Sequence, residues 1–314
     1  MGLILRRRVC LGRILNFGSL NMDTVYIMDR IVRPGETLPA LSVEEFCGGK
    51  GFNQSIALSR AGAEVFHAGK IGRDGLMLRD RLLENHVNCR YLGISEHPNG
   101  RAIIQKEASG ENCIILYGGA NREITEEEID RVLSCFGPGD LLIAQNEISC
   151  GSYLLEQAYK QGMEIAWNPS PIDSSLKSVP LEWISLLVIN EIEGSELTGQ
   201  TQPEEILSYF QRHSPRLRVV LTIGSGGSLY TGREGTFRCP AYPVSAVDTT
   251  AAGDTFLGYF IAYSRSGASA PDSLKAASAA AALAVTRAGA LPSIPCRAKV
   301  KRFIKEHSHE STAD

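Results

Sequence analysis

The chain has 314 residues, 32 Lys and Arg against 35 Asp and Glu, and a formal net charge of −3. Its 43% hydrophobic and 21% charged content is that of a soluble globular protein, with room for one large α/β domain. The near-neutral balance offers no electrostatic basis for nucleic acid or an acidic membrane as partner, and no apolar run reaches the ~20 residues of a membrane span.

Residues 1–12, with Arg6, Arg7 and Arg8, read as a frayed N-terminal extension rather than a secretory leader, because the apolar stretch after them is broken by Arg13 and Asn16. Core strands are expected at 14–19, 65–71, 141–145, 164–167, 186–190 and 219–223. Helical periodicity fits 53–61, 75–85, 125–135, 151–161, 195–198 and 203–213. Strands alternating with helices imply a mostly parallel sheet covered on both faces, a three-layer doubly wound α/β fold. The Ala-rich segment 271–288 opens on Pro271-Asp272 and stops at Gly289, as helix capping expects. Residues 298–314 read as a C-terminal helix and polar tail. The extended stretches near 29–47 and 99–118, the second with a hairpin-like loop at 108–112, break the alternation. They predict a small separate β-sheet, either a lid over a pocket or an edge decoration.

The eight cysteines include no Cys-x-x-Cys pair, so reduced thiols and a cytoplasmic location are expected. The six histidines do not cluster with carboxylates, and no catalytic histidine is expected.

Polar residues recur just past the expected strands: Asn21 and Asp23, Asn146 and Glu147, Asn168, Asn190 and Glu193, Thr222 and Gly224. In a doubly wound sheet ligands bind at the carboxyl ends of strands, so these mark one rim; singly, each is an ordinary turn residue. Cys47-Gly48-Gly49-Lys50-Gly51-Phe52-Asn53 leads into a helix and permits close backbone approach to a ligand. It is not a Walker A loop, since Glu44 and Gly51 stand where Gly and Ser/Thr belong, and Gln54 breaks G-x-G-x-x-G. Gly224-Ser225-Gly226-Gly227 fits either a nucleotide wrap or a hairpin turn. Val247-Asp248-Thr249-Thr250-Ala251-Ala252-Gly253-Asp254 is a small-residue turn opening a helix on a carboxylate. Free N–H groups and the positive dipole end suit a phosphate at Ala251, Ala252 and Gly253. An ordinary N-cap with an acidic first turn fits the same residues.

In order along 14–297, Gly18-Ser19-Leu20-Asn21-Met22-Asp23, Gly48-Gly49-Lys50-Gly51-Phe52-Asn53-Gln54, Gly118-Gly119-Ala120-Asn121, Asn190-Glu191-Ile192-Glu193, Asp248 to Asp254 and Thr286-Arg287-Ala288-Gly289-Ala290-Leu291-Pro292-Ser293 resemble the ribokinase-like (PfkB) carbohydrate kinases. The resemblance implies a ribokinase-like catalytic domain over 13–297 and ATP-dependent phosphorylation of a sugar primary hydroxyl, D-ribose first. Fructose, 2-deoxyribose, 2-keto-3-deoxygluconate, adenosine or pseudouridine, and a non-catalytic sugar-binding regulator, are the alternatives. By resemblance, Asn21, Met22, Asp23, Gly49, Lys50, Gly51, Phe52, Asn53 and Glu147 surround the sugar. Asp254 is the general base, and Ala251, Ala252 and Gly253 form an anion hole. Asn190 and Glu193 act through water on ATP-bound Mg²⁺, while Thr222, Ile223, Gly224, Ser225, Gly226, Gly227, Gly253 and Ser278 line the nucleotide. Asp248, the Thr250 carbonyl, Ala284, Arg287, Gly289 and Ser293 enclose K⁺. A homodimer through the β lid is also implied. Two positions depart from the usual pattern: Phe52 stands where a small residue is common, and Ser278 where a larger polar one is.

Overall fold

The computed structural model describes residues 12–107, 111–173, 176 and 178–307. The expected N-terminal extension up to residue 11, part of the 108–112 loop and the polar tail from 308 onward lie outside the described residues. In chain order the strands are β1 (Ile14–Phe17), β2 (Asn21–Met28), β3 (Ser42–Gly48), β4 (Val65–Gly72), β5 (Asn88–Ser95), β6 (Gly100–Glu107), β7 (Asn112–Tyr117), β8 (Leu141–Ala144), β9 (Glu164–Trp167), β10 (Leu186–Asn190), β11 (Arg218–Thr222), β12 (Ser228–Gly232) and β13 (Gly235–Cys239). The helices are α1 (Lys50–Arg60), α2 (Leu76–Glu84), α3 (Glu126–Leu133), α4 (Gly151–Lys160), α5 (Glu191–Thr198), α6 (Pro203–His213), α7 (Ala252–Arg265), α8 (Ala270–Val285), α9 (Ala290–Ser293) and α10 (Arg297–His307).

The main sheet runs β13-β12-β11-β10-β9-β8-β1-β4-β5. It is parallel from β5 through β11, and antiparallel only where β12 and β13 close the far edge. Strand alternation decides which helices cover which face. Ile14, Leu141, Ile143, Leu186, Val188 and Val220 point into one core with α1, α7 and α8. Leu15, Phe17, Leu142, Leu187, Ile189 and Leu221 point into the other, with α3, α4 and α6. Two apolar layers thus sandwich the sheet, the three-layer α/β architecture expected from the alternation. Helix α3 begins on a capping box in which the Thr125 side chain accepts from the Glu128 amide and Glu128 returns a bond to the Thr125 amide. Such a cap contributes about 1 kcal/mol.

A second sheet, ordered β3-β2-β6-β7, stands apart. Its composition corrects the expected boundaries. Residues 29–41 contain no strand, and Asn21–Met28 supplies the central strand, pairing with β3 on one side and β6 on the other. The sequence read Asn21 and Asp23 as loop residues past β1. In the structure the chain turns at Gly18–Leu20 and continues directly into the second sheet.

Candidate active site

The turn after β1 and the start of α1 are pressed together at two glycines. A Cβ on Gly51 would stand 2.6 Å from the Gly18 carbonyl carbon and the Ser19 nitrogen. Gly49 has φ +92, and a Cβ there would meet the Asn21 nitrogen at 2.9 Å. Only glycine lets the two backbones approach this closely. The result places Asn21 and Asp23 of β2 beside the first turn of α1.

Asn21 and Glu147 at this junction are held by hydrogen bonds. The Asn121 amide donates to Asn21 Oδ1 at 2.8 Å and its Oδ1 accepts from the Leu20 amide at 3.0 Å. Gly48 leaves room for the Asp23 carboxylate, whose Oδ2 lies 2.0 Å from where a Gly48 Cβ would sit. Burial pushes the Asp23 carboxyl up to about 7, and the nearby Glu147 adds to the rise. Glu147 accepts from the Ser19 hydroxyl and from the Lys50 amide, the latter at 3.1 Å. Burial works against the Lys50 ammonium, but Asp254, Glu147 and Glu193 together outweigh it and hold its pKa above the usual lysine value. Asn21, Asn121, Arg122, Asn146 and Glu147 line a cavity of about 250 Å³. A second cavity of about 420 Å³ lies between the second sheet and the main body, lined by Asp23, Phe46, Ile104, Asp248, Thr250 and Gly289 among others.

Asp254 sits in the first turn of α7, only 8% exposed. Its Oδ2 accepts from Asn53 Nδ2 at 3.1 Å and its Oδ1 from Gln54 Nε2 at 2.9 Å. Asn53 Oδ1 is buried with no partner. Ala251, at φ +59, turns the chain into α7. Gly253 is exposed with nothing within 4 Å of its missing Cβ. Among the described residues the Gly253 and Asp254 amides have no backbone acceptor. The helix start therefore offers an open anion site beside a buried carboxylate.

Farther along the rim, Asn190 and Glu193 form a reciprocal capping box on α5, with bonds of 2.9 and 3.0 Å. This starts the helix four residues earlier than the sequence suggested. Asn190 pairs in register with Thr222. Ile223 is buried, while Gly224, Ser225 and Gly226 form an exposed helical turn. Gly227 could carry no side chain, since its Cβ would meet the Cys239 carbonyl oxygen at 2.1 Å. Ser278 of α8 lies 3.4 Å from the Ser228 hydroxyl, just past that glycine.

At the third part of the rim, Asp248 accepts from the Thr250 amide and hydroxyl through Oδ1 and from the Gly289 amide through Oδ2. Burial opposes ionisation here, but these bonds outweigh it and hold the Asp248 carboxyl below its usual range. The Val247 and Asp248 amides donate to Val285 O, tying this loop to the 284–289 turn. Ala284 O accepts from the Arg287 amide, and Ser293 donates to Ala290 O.

Two residues expected beside a sugar are placed otherwise. Met22 alternates away from Asn21 and Asp23 into the core, and Phe52 is fully buried in the same apolar cluster. The departure at Phe52 is therefore a packing feature. Ser19, Gln54 and Asn121 were assigned no role from the sequence, although each stands in a quoted motif.

Residues 12–297 match the description "pfkB family carbohydrate kinase". The chain is 32% identical to the ribokinase of Staphylococcus aureus strain COL over 305 residues, covering 93% of this chain and 99% of the relative. Its fold superposes on a ribokinase from Cryptococcus neoformans in complex with ADP (TM-score 0.81, 32% identity, 93% and 98% coverage). It also superposes on Arabidopsis thaliana ribokinase complexed with ribose and ATP (TM-score 0.82, 28% identity, 94% and 99% coverage). With a matching family description across nearly the whole chain, and an anion-ready helix start beside a buried carboxylate, the chain belongs to the pfkB family of carbohydrate kinases.

Proposed function

We propose that this kinase transfers the γ-phosphoryl group of ATP to the primary hydroxyl of D-ribose, giving D-ribose 5-phosphate. The observation that carries the reading is the pairing of Asp254, buried and held by two amide donors, with the open first turn of α7. Asn21, Asp23, Asn53 and Glu147 bring short polar groups to one place, as a polyol requires. Asp254 accepts the hydroxyl proton as the phosphoryl group leaves the nucleotide. The Gly253 and Asp254 amides face the charge that grows on that group, whereas the Ala252 amide, expected in the same anion hole, donates to Thr249 O at 3.2 Å; Lys50 adds a positive charge beside it. Positioning and electrostatics supply most of such catalysis.

The rim at Asn190, Thr222, Gly224–Gly227 and Ser278 is the nucleotide side of this reading. No cluster of three His, Cys, Asp or Glu suited to a metal occurs among the described residues. Mg²⁺ fits as a partner of the phosphates, with Asn190 and Glu193 reaching it through water. The Asp248 carboxylate with backbone carbonyls of the 250 and 284–289 loops is a hard, oxygen-only donor set suited to K⁺. When bound, these cations neutralise charge near the transferred group.

Strand β7 is an unpaired edge whose residues are all exposed, Ile114 at 52%, Ile115 at 55% and Leu116 at 59%. An apolar open edge favours pairing with another strand, which supports a homodimer through the second sheet, here a lid over the sugar. No helix among the described residues is long and apolar enough to cross a membrane, and the reading places the protein in the cytoplasm.

The test is ADP release from ATP and Mg²⁺ over D-ribose, 2-deoxyribose, fructose, 2-keto-3-deoxygluconate, adenosine and pseudouridine, with and without K⁺. Turnover on ribose raised by K⁺ is expected. Turnover confined to another acceptor would keep the kinase and reassign the sugar, and silence on every acceptor would overturn the reading.

A further inference from the structure

Behind Asp254 runs a buried chain of uncharged polar side chains. Gln54 donates through Nε2 to Asp254 Oδ1 at 2.9 Å and to Asn168 Oδ1 at 3.2 Å. Its Oε1 accepts from Gln145 Nε2 at 2.7 Å, and the same amide donates to Asn16 Oδ1 at 2.9 Å. Asn16 Nδ2 in turn donates to Gly51 O at 2.8 Å and to the Ser55 hydroxyl at 2.9 Å, and Ser55 meets His67 Nδ1 at 2.8 Å. Asn16, Gln54, Ser55 and His67 are completely buried and Gln145 is 3% exposed. Burial drives the His67 pKa down to about 3, against a small opposing effect of the Gly18 backbone, so the chain carries no charge at its far end.

Each amide along this path has both hydrogens committed. An amide with both N–H groups and its oxygen engaged cannot turn over without leaving buried groups unpaired, at a cost set by their desolvation. The direction of the Gln54 amide is therefore set from Gln145, just past β8, and behind it Asn16 of β1, as well as by Asp254 and Asn168, although Gln145 Oε1 itself is buried without a partner. Asn53 and Gln54 clamp the two carboxylate oxygens from one helix turn. We propose that Gln54, oriented by Gln145 and Asn16, is a positioning residue that holds the Asp254 carboxylate in its proton-accepting orientation. This rests on the reading of Asp254 as the base. The charged group acting on Asp254 is Lys50, which also faces Glu147 and Glu193. Substitutions at 54 leave all of these in place.

The experiment measures kcat and KM across pH, on D-ribose with ATP, Mg²⁺ and K⁺, for Gln54→Glu and Gln54→Met, with thermal melts of each. Loss of orientation is expected to lower kcat about 10²-fold, the scale of a small misplacement, with KM for ribose and ATP within about threefold. Removing an N–H donor from a carboxylate disfavours its charged form, so the acid limb of kcat moves to higher pH in Gln54→Met, the variant that reports positioning, and further in Gln54→Glu, where a second carboxyl also faces Asp254. A purely structural role would lower the melting temperature and leave that limb in place. Gln145→Met, which frees the Gln54 amide to turn, gives the same readout if the position-54 variants do not fold. A wild-type kcat, or a reduced kcat with the acid limb unmoved, in whichever of these folds overturns the proposal. Asp254→Asn separates the two levels. If it turns over normally the base assignment fails, whereas an inactive Asp254→Asn beside a normal Gln54→Glu removes only the positioning role.

Discussion

Gly258 of α7 packs on Ala57 of α1 so closely that a Cβ at 258 would stand 2.5 Å from the Ala57 Cβ and 2.9 Å from the Leu58 nitrogen. Gly258 lies one turn beyond Asp254, and Ala57 one turn beyond Asn53, so the crossing and the site share the same two helix faces. The helix contact therefore sets the Asn53–Asp254 distance. Gly258→Ala gains roughly 1 kcal/mol of helix preference but overpacks the crossing, at about 1–3 kcal/mol. A small net loss of stability in denaturant melts is expected, with kcat reduced more than KM changes. An unchanged melt with full kcat would show that the helices separate at no cost.

Asp254→Asn is expected to lower kcat by roughly 10²–10⁴, the range for a general base, with ATP affinity near normal by calorimetry. The asparagine keeps the shape but cannot accept the proton. Near-wild-type turnover would remove Asp254 from the chemistry.

Asp23 gives a pH dependence of known sign. Its carboxyl is raised to about 7 in the folded protein, from an ordinary 3.8. Between those values the folded state holds a proton that the unfolded chain has released, so this group's contribution to stability declines as pH rises through the window. Asp23→Asn should flatten that slope in melts taken across pH 4–8 (about the span of the two values,). An ionised Asp23 is the stronger acceptor for a sugar hydroxyl, so the ribose KM of the wild type should rise as pH falls below about 7. A KM flat across that range would show that Asp23 does not bind the sugar through its charge.

Asp248 joins two loops through the Thr250 and Gly289 amides. Asp248→Asn removes the charge that a monovalent cation would balance. The variant should lose most of the K⁺ stimulation of kcat while keeping measurable turnover without K⁺. Stimulation equal to the wild type would place the cation elsewhere.

The open edge at β7 predicts concentration-dependent association. Ile115→Lys should shift the protein toward monomer in sedimentation velocity without unfolding it, since the side chain is 55% exposed. A wild type that stays monomeric at high concentration would leave the edge without a second copy.

Much of the architecture is local and was therefore legible in the sequence. The bounds of β9, β10 and α6 match the expected ones residue for residue, because apolar runs and helix starts declare themselves over a few residues. The small-residue turn at 251–254 and the glycines at 48–51 likewise marked the candidate site; at Gly49 and Gly51 positive φ or close backbone approach demands glycine. What the chain order could not reveal was neighbourhood. Gln54 and Asp254 are 200 positions apart, and only the crossing of α1 and α7 makes one the partner of the other. Asn21 and Asp23 looked like loop residues because polar side chains mask a strand, and pairing with β3 and β6 decided otherwise. Phe52 looked like a pocket residue until helix phase turned it into the core. The sequence by itself determined β1, β4 and β8–β11 of the main sheet, most of its helices and which groups are chemically competent. The tertiary structure decided which of them meet, because contact free energy depends on faces and distances that a linear spacing does not encode.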